Sequence, residues 1–582
     1  MKYVNITINN QEITVPERTT ILEAAKQIGV NIPTLCYHPD QSIKANCRVC
    51  LVQVKGSKKL SASCSTYVWE GMEVITTSKE VLDAQKGVLE LLLASHHQEC
   101  LTCQRNGSCE LQDLAERFNI TGSDLEENIL YMPKDTSSPS IIRDATKCIK
   151  CSRCVEACRE VQGVDILTYS FRSDKYIIST PYDLPLNSTL CTFCGQCSAV
   201  CPVGAIVEKD NTAELFEIMS DNKKHIIAQV APAVRVALGD DFGLPEGSIV
   251  TGKLVSALKQ LGFHAVFDTN FTADLTIMEE GTELIDRIKN GGTLPMITSC
   301  SPGWINYVEG KYDHLLDHLS TCKSPQQMFG AISKSYYAEK MGLAPEDIYT
   351  VSIMPCTAKK FEAQREEMKT NGVQEVDMVI TTRELAKMIK MAGLNFPNLP
   401  ESDFDSPLGT GTGAAVIFGN TGGVMEAALR TAYEVMTGQE IPTLEFSPVR
   451  GLDGIKEADI AIDNTTVKVA VAHGLSNAKK IMDMIDQGSC PYTFIEIMAC
   501  PGGCIGGGGQ PIHTTMATKA KRIESIYKID KEILPLRKSH ENPDVKRLYE
   551  EYLGEPTGHK SHELLHTYYQ PKNKTVCGHK LK

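Results

Sequence analysis

CIKCSRCVEAC at residues 148–158 and CTFCGQCSAVCP at residues 191–202 are one pattern written twice. Each run is C-x2-C-x2-C-x3-C, the spacing of a ferredoxin that holds two four-iron clusters, in which the fourth cysteine of each run serves the other run's cluster. Cys148, Cys151, Cys154 and Cys201 are therefore expected around one cluster, and Cys191, Cys194, Cys197 and Cys158 around the other. A two-cluster ferredoxin-like domain over 139–210 follows. Proline follows Cys201, as is usual in such runs, whereas Arg159 follows Cys158.

Upstream the ligand pattern continues. Residues 81–138 read as helical and carry His96, Cys100, Cys103 and Cys109 in an H-x3-C-x2-C-x5-C order, four ligands on one short loop. A Cys3His set is ordinarily a zinc site, but the neighbouring ferredoxin repeat favours a further four-iron cluster. Residues 1–80 alternate apolar and polar positions (YVNITI, QEITV, RVCLVQV, GMEVITT) around one helical stretch, TILEAAKQIGV. That is a small mixed sheet with a packed helix, a β-grasp arrangement. Its Cys36, Cys47, Cys50 and Cys64 are spaced to surround a two-iron cluster.

Composition agrees. The chain has 582 residues, enough for several domains, and 22 cysteines, fifteen of them before residue 202. MKYVNITINNQEITV has no basic segment followed by an apolar one, and no apolar run approaches the length of a membrane span, so a cytoplasmic protein away from membranes is expected. In a reducing compartment dense C-x-x-C repeats mean metal ligation rather than disulfides. A formal charge of −13 without basic clusters argues against nucleic acid.

From 211 to 582 the cysteines thin out. Strand-like segments (HIIAQVA, HAVFDTN, TLPMITS, IYTVSIMP, VDMVITT, VKVAVAH, TFIEIMA) alternate with helical ones, the pattern of a large α/β domain with buried strands. Four segments read as strand ends with unusual residues: PMITSCSPGW (295–304), SIMPCTAKKFE (352–362), GNTGGVMEAAL (419–429) and EIMACPGGCIGGGGQP (496–511). Strand ends are where α/β domains place their sites. The charged extension from about 515 yields no motif. The fold class is thus multidomain α/β and α+β.

The segments with Cys300, Cys356, Cys500 and Cys504 resemble the signatures of the [FeFe]-hydrogenases, TSCCP-x-W, MPC-x-x-K-x-x-E and E-x-M-A-C-x-x-G-C-x-x-G-G-G-x-P. The likeness extends over nearly the whole chain, in the manner of the clostridial single-chain enzymes. The resemblance implies a catalytic domain over 211–582 with an H-cluster, a four-iron cluster bridged to a two-iron subcluster with CO, CN and azadithiolate ligands. It implies one [2Fe-2S] and three accessory [4Fe-4S] clusters, and reversible reduction of protons to hydrogen. A ferredoxin-like electron carrier and maturation proteins delivering the two-iron subcluster would be partners. Cys356, Cys500 and Cys504 would be ligands, with Cys504 the bridge. Lys359 would hold a cyanide, and Ala231, Pro232, Gln326, Met354, Phe418 and Met498 would complete the pocket. Glu280, Ser320, Glu283 and Arg287 would carry protons. Without the resemblance, MEEGTELIDRIK around Glu280 is equally well a solvated helix face.

The family pattern breaks at Cys300–Ser301, where two adjacent cysteines are usual. Either Ser301 ligates through oxygen while Cys300 relays protons, or the loop turns so that Cys300 ligates and the relay is altered. Thiolate is the better iron ligand, which favours the second. Ala233 stands where the family often has serine. Two other readings keep the same cofactors: a low-turnover redox or hydrogen sensor, and the hydrogenase subunit of a flavin-containing complex. An electron-transfer subunit like that of respiratory complex I would explain the N-terminal ligand sets but not the motifs after residue 295. The glycines of GTGTGAAVIFGNTGG lack the acidic residue of a nucleotide fold and read as close packing. Cys322, Cys490 and Cys577 fit no ligand spacing, and His540 and His566 read as structural.

Overall fold

The computed structural model describes residues 2–122, 125–462, 465–572, 575–576 and 579–580; Cys577 lies outside them. In the N-terminal region Val4, Ile6 and Ile8 alternate with exposed residues and turn one face of the strand Tyr3–Ile8 inward. This strand pairs antiparallel with Gln11–Pro16 and parallel with Glu73–Ile75, and Leu51–Val54 and Ser61–Ala62 extend the sheet. Helix Ile21–Gln27 packs on it. Thr20 and Glu23 cap its start reciprocally.

Helix Lys79–Ala94, capped by Ser78, then leads to the short helix Glu110–Arg117. Between 139 and 210, strand Ile141–Arg143 pairs antiparallel with Ile206–Glu208, closing the two cysteine runs into one unit. Each run enters a short helix, Arg153–Glu156 or Gln196–Ala199, through a left-handed residue, Ser152 or Gly195. The repeat in sequence is thus a repeat in backbone.

All seven strand-like segments beyond residue 211 are strands, but they form two sheets. One is wholly parallel, in the order Ala265–Asp268, His225–Val230, Ile348–Met354, Met378–Thr381. The other runs Met296–Ile297, Phe494–Met498, Thr465–His473 in parallel, with Ile455–Ile462 added antiparallel. Helices cover the first sheet, whose strands are buried almost throughout, as their continuous apolar sequences require. The carboxyl ends of three strands of the first sheet and two of the second meet at one cavity. GNTGGVMEAAL is the exception among the four expected strand ends. It follows a helical turn, Ile417–Gly419, and opens helix Gly423–Thr437. Its glycines serve packing: a Cβ on Gly423 would collide with the Ile417 carbonyl and one on Gly422 with that of Val449.

The extension after 515 is bound tightly to the two-sheet α/β region. Arg430, wholly buried, pairs with Glu426 and with Asp530 of the extension, and Arg522 donates to the Ile505 carbonyl and to Asp240. Breaking a buried pair of this kind costs about 3–5 kcal/mol. Near the C-terminus the backbone of His566 bridges to Cys322, and Lys323 donates to the carbonyls of Leu564 and Leu565.

Candidate active site and its cluster ligands

The two ferredoxin-like runs interleave as their spacing requires. A void of about 20 Å³ is lined by Cys148, Cys151, Cys154 and Cys201, and a second, of about 30 Å³, by Cys158, Cys191, Cys194 and Cys197. Cys148, Cys158 and Cys194 are only half-buried because they line the two voids, and burial raises their pKa values. Four sulfurs around a closed void is the donor set of a four-iron cluster.

The other two sets also converge. The Cys47 amide donates to Cys36 Sγ at 3.4 Å, and Cys50 and Cys64 are hydrogen-bonded through their sulfurs and feel the charge of Cys36. His96 is buried, and its Nδ1 engages the Lys147 carbonyl at 2.9 Å, which leaves Nε2 for a metal. This is the second partner that commonly orients a ligating histidine. Cys109 feels Cys103 and Cys100, and Cys100 alone of the set is exposed.

The main cavity, about 90 Å³, lies where the two catalytic sheets meet. Cys300 follows strand Met296–Ile297, Cys356 follows Ile348–Met354, and Cys500 follows Phe494–Met498. These three, with Cys504, Ser301, Lys359, Ala231, Pro232, Gln326, Met354, Phe418 and Met498, all line it. Every residue expected in the pocket is thus at the cavity wall. Gln326 is buried there with its Oε1 lacking any hydrogen-bond partner among the described residues. A buried orphan acceptor, three converging thiols and an apolar wall fit a bound iron–sulfur group whose rim carries polar ligands.

Lys359 is fixed from behind. Its Nζ donates to Glu362 at 2.7 Å, to Ser324 Oγ at 2.7 Å and to the Cys300 carbonyl at 3.2 Å. Glu362 and Ser324, which the sequence does not single out as orienting groups, hold the ammonium at the rim. The Cys500–Cys504 turn is likewise supported by His473, whose Nδ1 accepts from the Gly502 amide while Nε2 engages the Leu452 carbonyl at 3.2 Å. Burial and nearby Lys456 hold that imidazole neutral, with its pKa lowered to about 4.

At the motif break the two side chains have different neighbours. Ser301 Oγ accepts from the Ala499 amide at 3.2 Å, beside Cys500. The thiols that Cys500 feels are Cys356, Cys194 and Cys504. Cys300 lines the same cavity as Ser301 and feels Lys359 and Cys504. Burial pushes its thiol well up, and the strongest charge acting on it is the Glu280 carboxylate. Glu280 is 2 % exposed, and burial, then Glu283, pushes its carboxyl up to about 8. Ser320 is within hydrogen-bond reach of Glu280 and donates to Glu283 at 2.8 Å. Glu283 pairs with Arg287 at 2.6 Å, and Arg287 reaches the surface carbonyls of Thr293 and Asp317. The MEEGTELIDRIK face around Glu280 is therefore buried rather than solvated. Cys322, set aside as a small hydrophobe, points its sulfur at Glu283 Oε2 (3.7 Å). His566 bonds Thr321 and Glu279, and His540 bonds Glu434, both as structural groups.

The nearest accessory void abuts the main cavity, since Cys194 lines both. The junction is made by backbone: Thr357 donates to the Phe193 carbonyl at 2.8 Å and Gln196 to that of Gly506 at 2.9 Å. Gly508 lies so close to the Cys194 carbonyl that any Cβ would collide with it. Further out, Asn46 bonds Ser152, and Arg105 donates to the Ser198 carbonyl at 2.8 Å. The two outer cysteine sets are thereby docked against the two-run unit.

Family models match the chain almost end to end. The C-terminal domain of the iron-only hydrogenase large subunit matches residues 224–508, and the iron hydrogenase small subunit matches 516–572. A 2Fe-2S iron–sulfur cluster binding domain matches 1–79. The NADH-ubiquinone oxidoreductase-G iron–sulfur binding region matches 85–124, and the ferredoxin-like domain of NADH-quinone oxidoreductase subunit 3 matches 138–207. The chain is 42% identical over 578 residues to iron hydrogenase 1 of Clostridium pasteurianum, covering 97% of this chain and 99% of that protein. It is 48% identical over 580 residues to the NADP-reducing hydrogenase subunit HndD of Solidesulfovibrio fructosivorans, covering 98% and 99%. A variant of the [FeFe]-hydrogenase HydA1 from Chlamydomonas reinhardtii superposes with a TM-score of 0.57 at 45% identity, covering 63% of this chain and 100% of that one.

Proposed function

The chain belongs to the [FeFe]-, or iron-only, hydrogenases, and from that premise we propose which of its residues carry the activity. The family's reaction is the reversible reduction of protons to hydrogen, and the chain binds iron–sulfur clusters and an H-cluster. We assign one [2Fe-2S] cluster to Cys36, Cys47, Cys50 and Cys64, and [4Fe-4S] clusters to the His96–Cys100–Cys103–Cys109 set and to the two interleaved ferredoxin sets. Cys356, Cys500 and Cys504 would hold the H-cluster, with Cys504 as the ligand nearest its two-iron part.

Ser301 takes the fourth ligand position and Cys300 is the relay thiol. The observation that carries this is the difference in their neighbours: Ser301 Oγ accepts from the Ala499 amide beside Cys500, whereas Glu280 is the first charged neighbour of Cys300. It reverses the preference that ligand chemistry alone suggested. When bound, the six-iron group supplies the site where two protons and two electrons combine as hydrogen. The chain's own residues do the rest. Ala231, Pro232, Met354, Phe418 and Met498 keep water from the iron. Lys359, braced by Glu362 and Ser324, presents its ammonium to an anionic ligand. Gln326, whose carbonyl oxygen has no hydrogen-bond partner among the described residues, lines the same cavity.

Protons pass between Cys300 and the surface through Glu280, Ser320, Glu283 and Arg287. Each step lies between groups that hydrogen-bond or act directly on one another, so the site stays closed to bulk water. A continuous route of this kind favours turnover over sensing. Electrons enter from a ferredoxin-like carrier or, as the name of the relative HndD suggests for that protein, within a larger enzyme of several subunits. Hydrogen evolution from reduced methyl viologen by the matured protein tests the reading. No gas from protein matured by machinery that activates a clostridial relative would refute it.

A further inference from the structure

Lys519 is a buried lysine that forms no ion pair among the described residues. It lies in the first turn of helix Met516–Lys528, which Thr515 caps, and is 7 % exposed. Among the described residues its Nζ has one hydrogen-bond partner, the Met516 thioether at 3.6 Å, and it forms no ion pair. Lys456, also buried and without an ion pair among the described residues, donates to the carbonyls of Thr421 and Gly451, and three further buried lysines have carboxylate partners. Lys323 pairs with Glu375, Lys334 with Asp377 and Lys360 with Glu384.

The stem of Lys519 rests on the bare backbone of the Cys500–Gly507 turn. A Cβ on Gly506 would lie 2.9 Å from Lys519 Cε, and one on Gly502 would lie 3.4 Å from Cδ. The glycines of Cys-Pro-Gly-Gly-Cys-Ile-Gly thus leave the room that the ammonium occupies. The groups whose charge Lys519 feels are Asp40, the Cys500 thiol and Arg522. Arg522 is neutralised by Asp240 at 2.6 Å, and the Asp40 carboxylate already accepts from the Met516 amide at 2.8 Å. His38 and His473 also lie in its field, and burial holds both neutral, with their pKa values lowered to about 4. Asp40 supplies a standing negative charge that forms no ion pair with the ammonium, and Cys500 carries anionic charge at neutral pH only when it binds metal. Burying an ammonium with no ion pair is unfavourable, and a metal-bound Cys500 supplies a second negative charge at the turn its stem rests on.

We propose that Lys519 is the counter-charge of the cluster held by Cys356, Cys500 and Cys504, and that it sets that cluster's reduction potential. The inference rests on the ligand assignment above. A fixed positive charge favours the more negative, reduced state and raises the potential. Lys519 is a positioning residue in the electrostatic sense and touches no substrate. Because Asp40 and His38 follow Cys36 in the [2Fe-2S] region, the same ammonium also lies between the outer and inner ends of the chain's redox groups.

Two variants of the matured holoenzyme test it. Lys519→Met keeps the stem on Gly502 and Gly506 and removes the charge, whereas Lys519→Arg keeps the charge. Carbonyl and cyanide infrared bands are followed while the potential is stepped. At the potential where the parent is half reduced, Lys519→Met is expected to show a reduced-to-oxidised ratio about tenfold lower, a negative shift of about 59 mV for a one-electron couple. Lys519→Arg is expected to stay near the parent. Equal potentials in Lys519→Met and parent overturn the proposal, and so does an equal shift in both variants, which would assign the effect to packing. If Lys519→Met does not fold, Lys519→Gln is read in the same way. Absence of the bands from the parent itself would instead overturn the ligand assignment, a different outcome from bands that are present and unmoved.

Discussion

Replacing Glu280 by glutamine separates proton delivery from stability, because the structure predicts that the two move in opposite directions. Glu280 is 2 % exposed, its carboxyl is raised to about 8 chiefly by burial, and it lies between the Cys300 thiol and the Ser320–Glu283 pair. Glutamine keeps the shape and a hydrogen-bonding group but cannot take up and release a proton. Positioned proton transfer contributes about 10²–10⁴-fold, so hydrogen evolution from reduced viologen should fall by that factor. The fold should gain. The folded chain holds this proton up to pH about 8, whereas an unfolded carboxylate, with its ordinary value of 4.5, has released it. Between those values the native state binds more protons, so Glu280 makes stability decline as pH rises from about 4.5 to about 8. At 1.36 kcal/mol per pH unit the loss is at most ~5 kcal/mol, less whatever Glu283 shares of the proton. Glu280→Gln should therefore show a smaller drop in melting temperature between pH 5 and pH 8.5 than the parent, with its clusters intact. A variant that retains half the parent rate refutes the proton route. One whose melting curve tracks the parent's at every pH refutes the buried, neutral carboxyl.

Three further outcomes follow from the ligand assignments and the docked interfaces. Cys300→Ala should keep the H-cluster's infrared bands and lose at least about 10²-fold in rate, whereas Ser301→Ala should weaken retention of the four-iron part and Ser301→Cys should keep it; loss of that cluster from Cys300→Ala would exchange the two roles. His96→Ala should lower iron content by about four atoms per chain, as one [4Fe-4S] cluster is lost; zinc in the parent, or unchanged iron in the variant, would contradict the assignment. Gly508→Ala forces a methyl against the Cys194 carbonyl and should destabilise the junction by about 1–3 kcal/mol, read as a lower melting temperature; an unchanged melt would mean that the junction has slack.

The parts of this protein legible in its sequence are those where chemistry acts over short spans of chain. Cluster ligands must converge within a few residues, so the two ferredoxin runs reveal both their number and their crossed grouping, and voids lined by Cys148–Cys201 and Cys158–Cys197 sets occur where that grouping places them. Buried parallel strands are continuous apolar runs, and all seven were visible. What separates the strands into two sheets is long-range pairing, such as Phe494 with Val469, which no local pattern encodes. GNTGGVMEAAL resembled a strand end because its glycines allow close approach, and close approach serves helix packing equally well. Lone side chains that act through others are hidden for the same reason. Ser324 behind Lys359, His473 behind Gly502 and Lys519 behind Gly506 are ordinary polar residues until the fold brings them to the site, and Glu362, which closes the MPC-x-x-K-x-x-E signature, shows its partner Lys359 only in the fold. The extension after 515 carries no motif because its work is to brace, through Asp530, Arg522 and the His566 backbone.

The central claim, that the cavity at the meeting of the two sheets binds an H-cluster through Cys356, Cys500 and Cys504, is tested most directly by infrared spectroscopy of the matured protein. Carbonyl and cyanide stretching bands should appear in the parent and be lost from Cys504→Ala. A parent without such bands, after a maturation that yields them in a clostridial relative, or a Cys504→Ala variant that keeps them unaltered, would contradict the account.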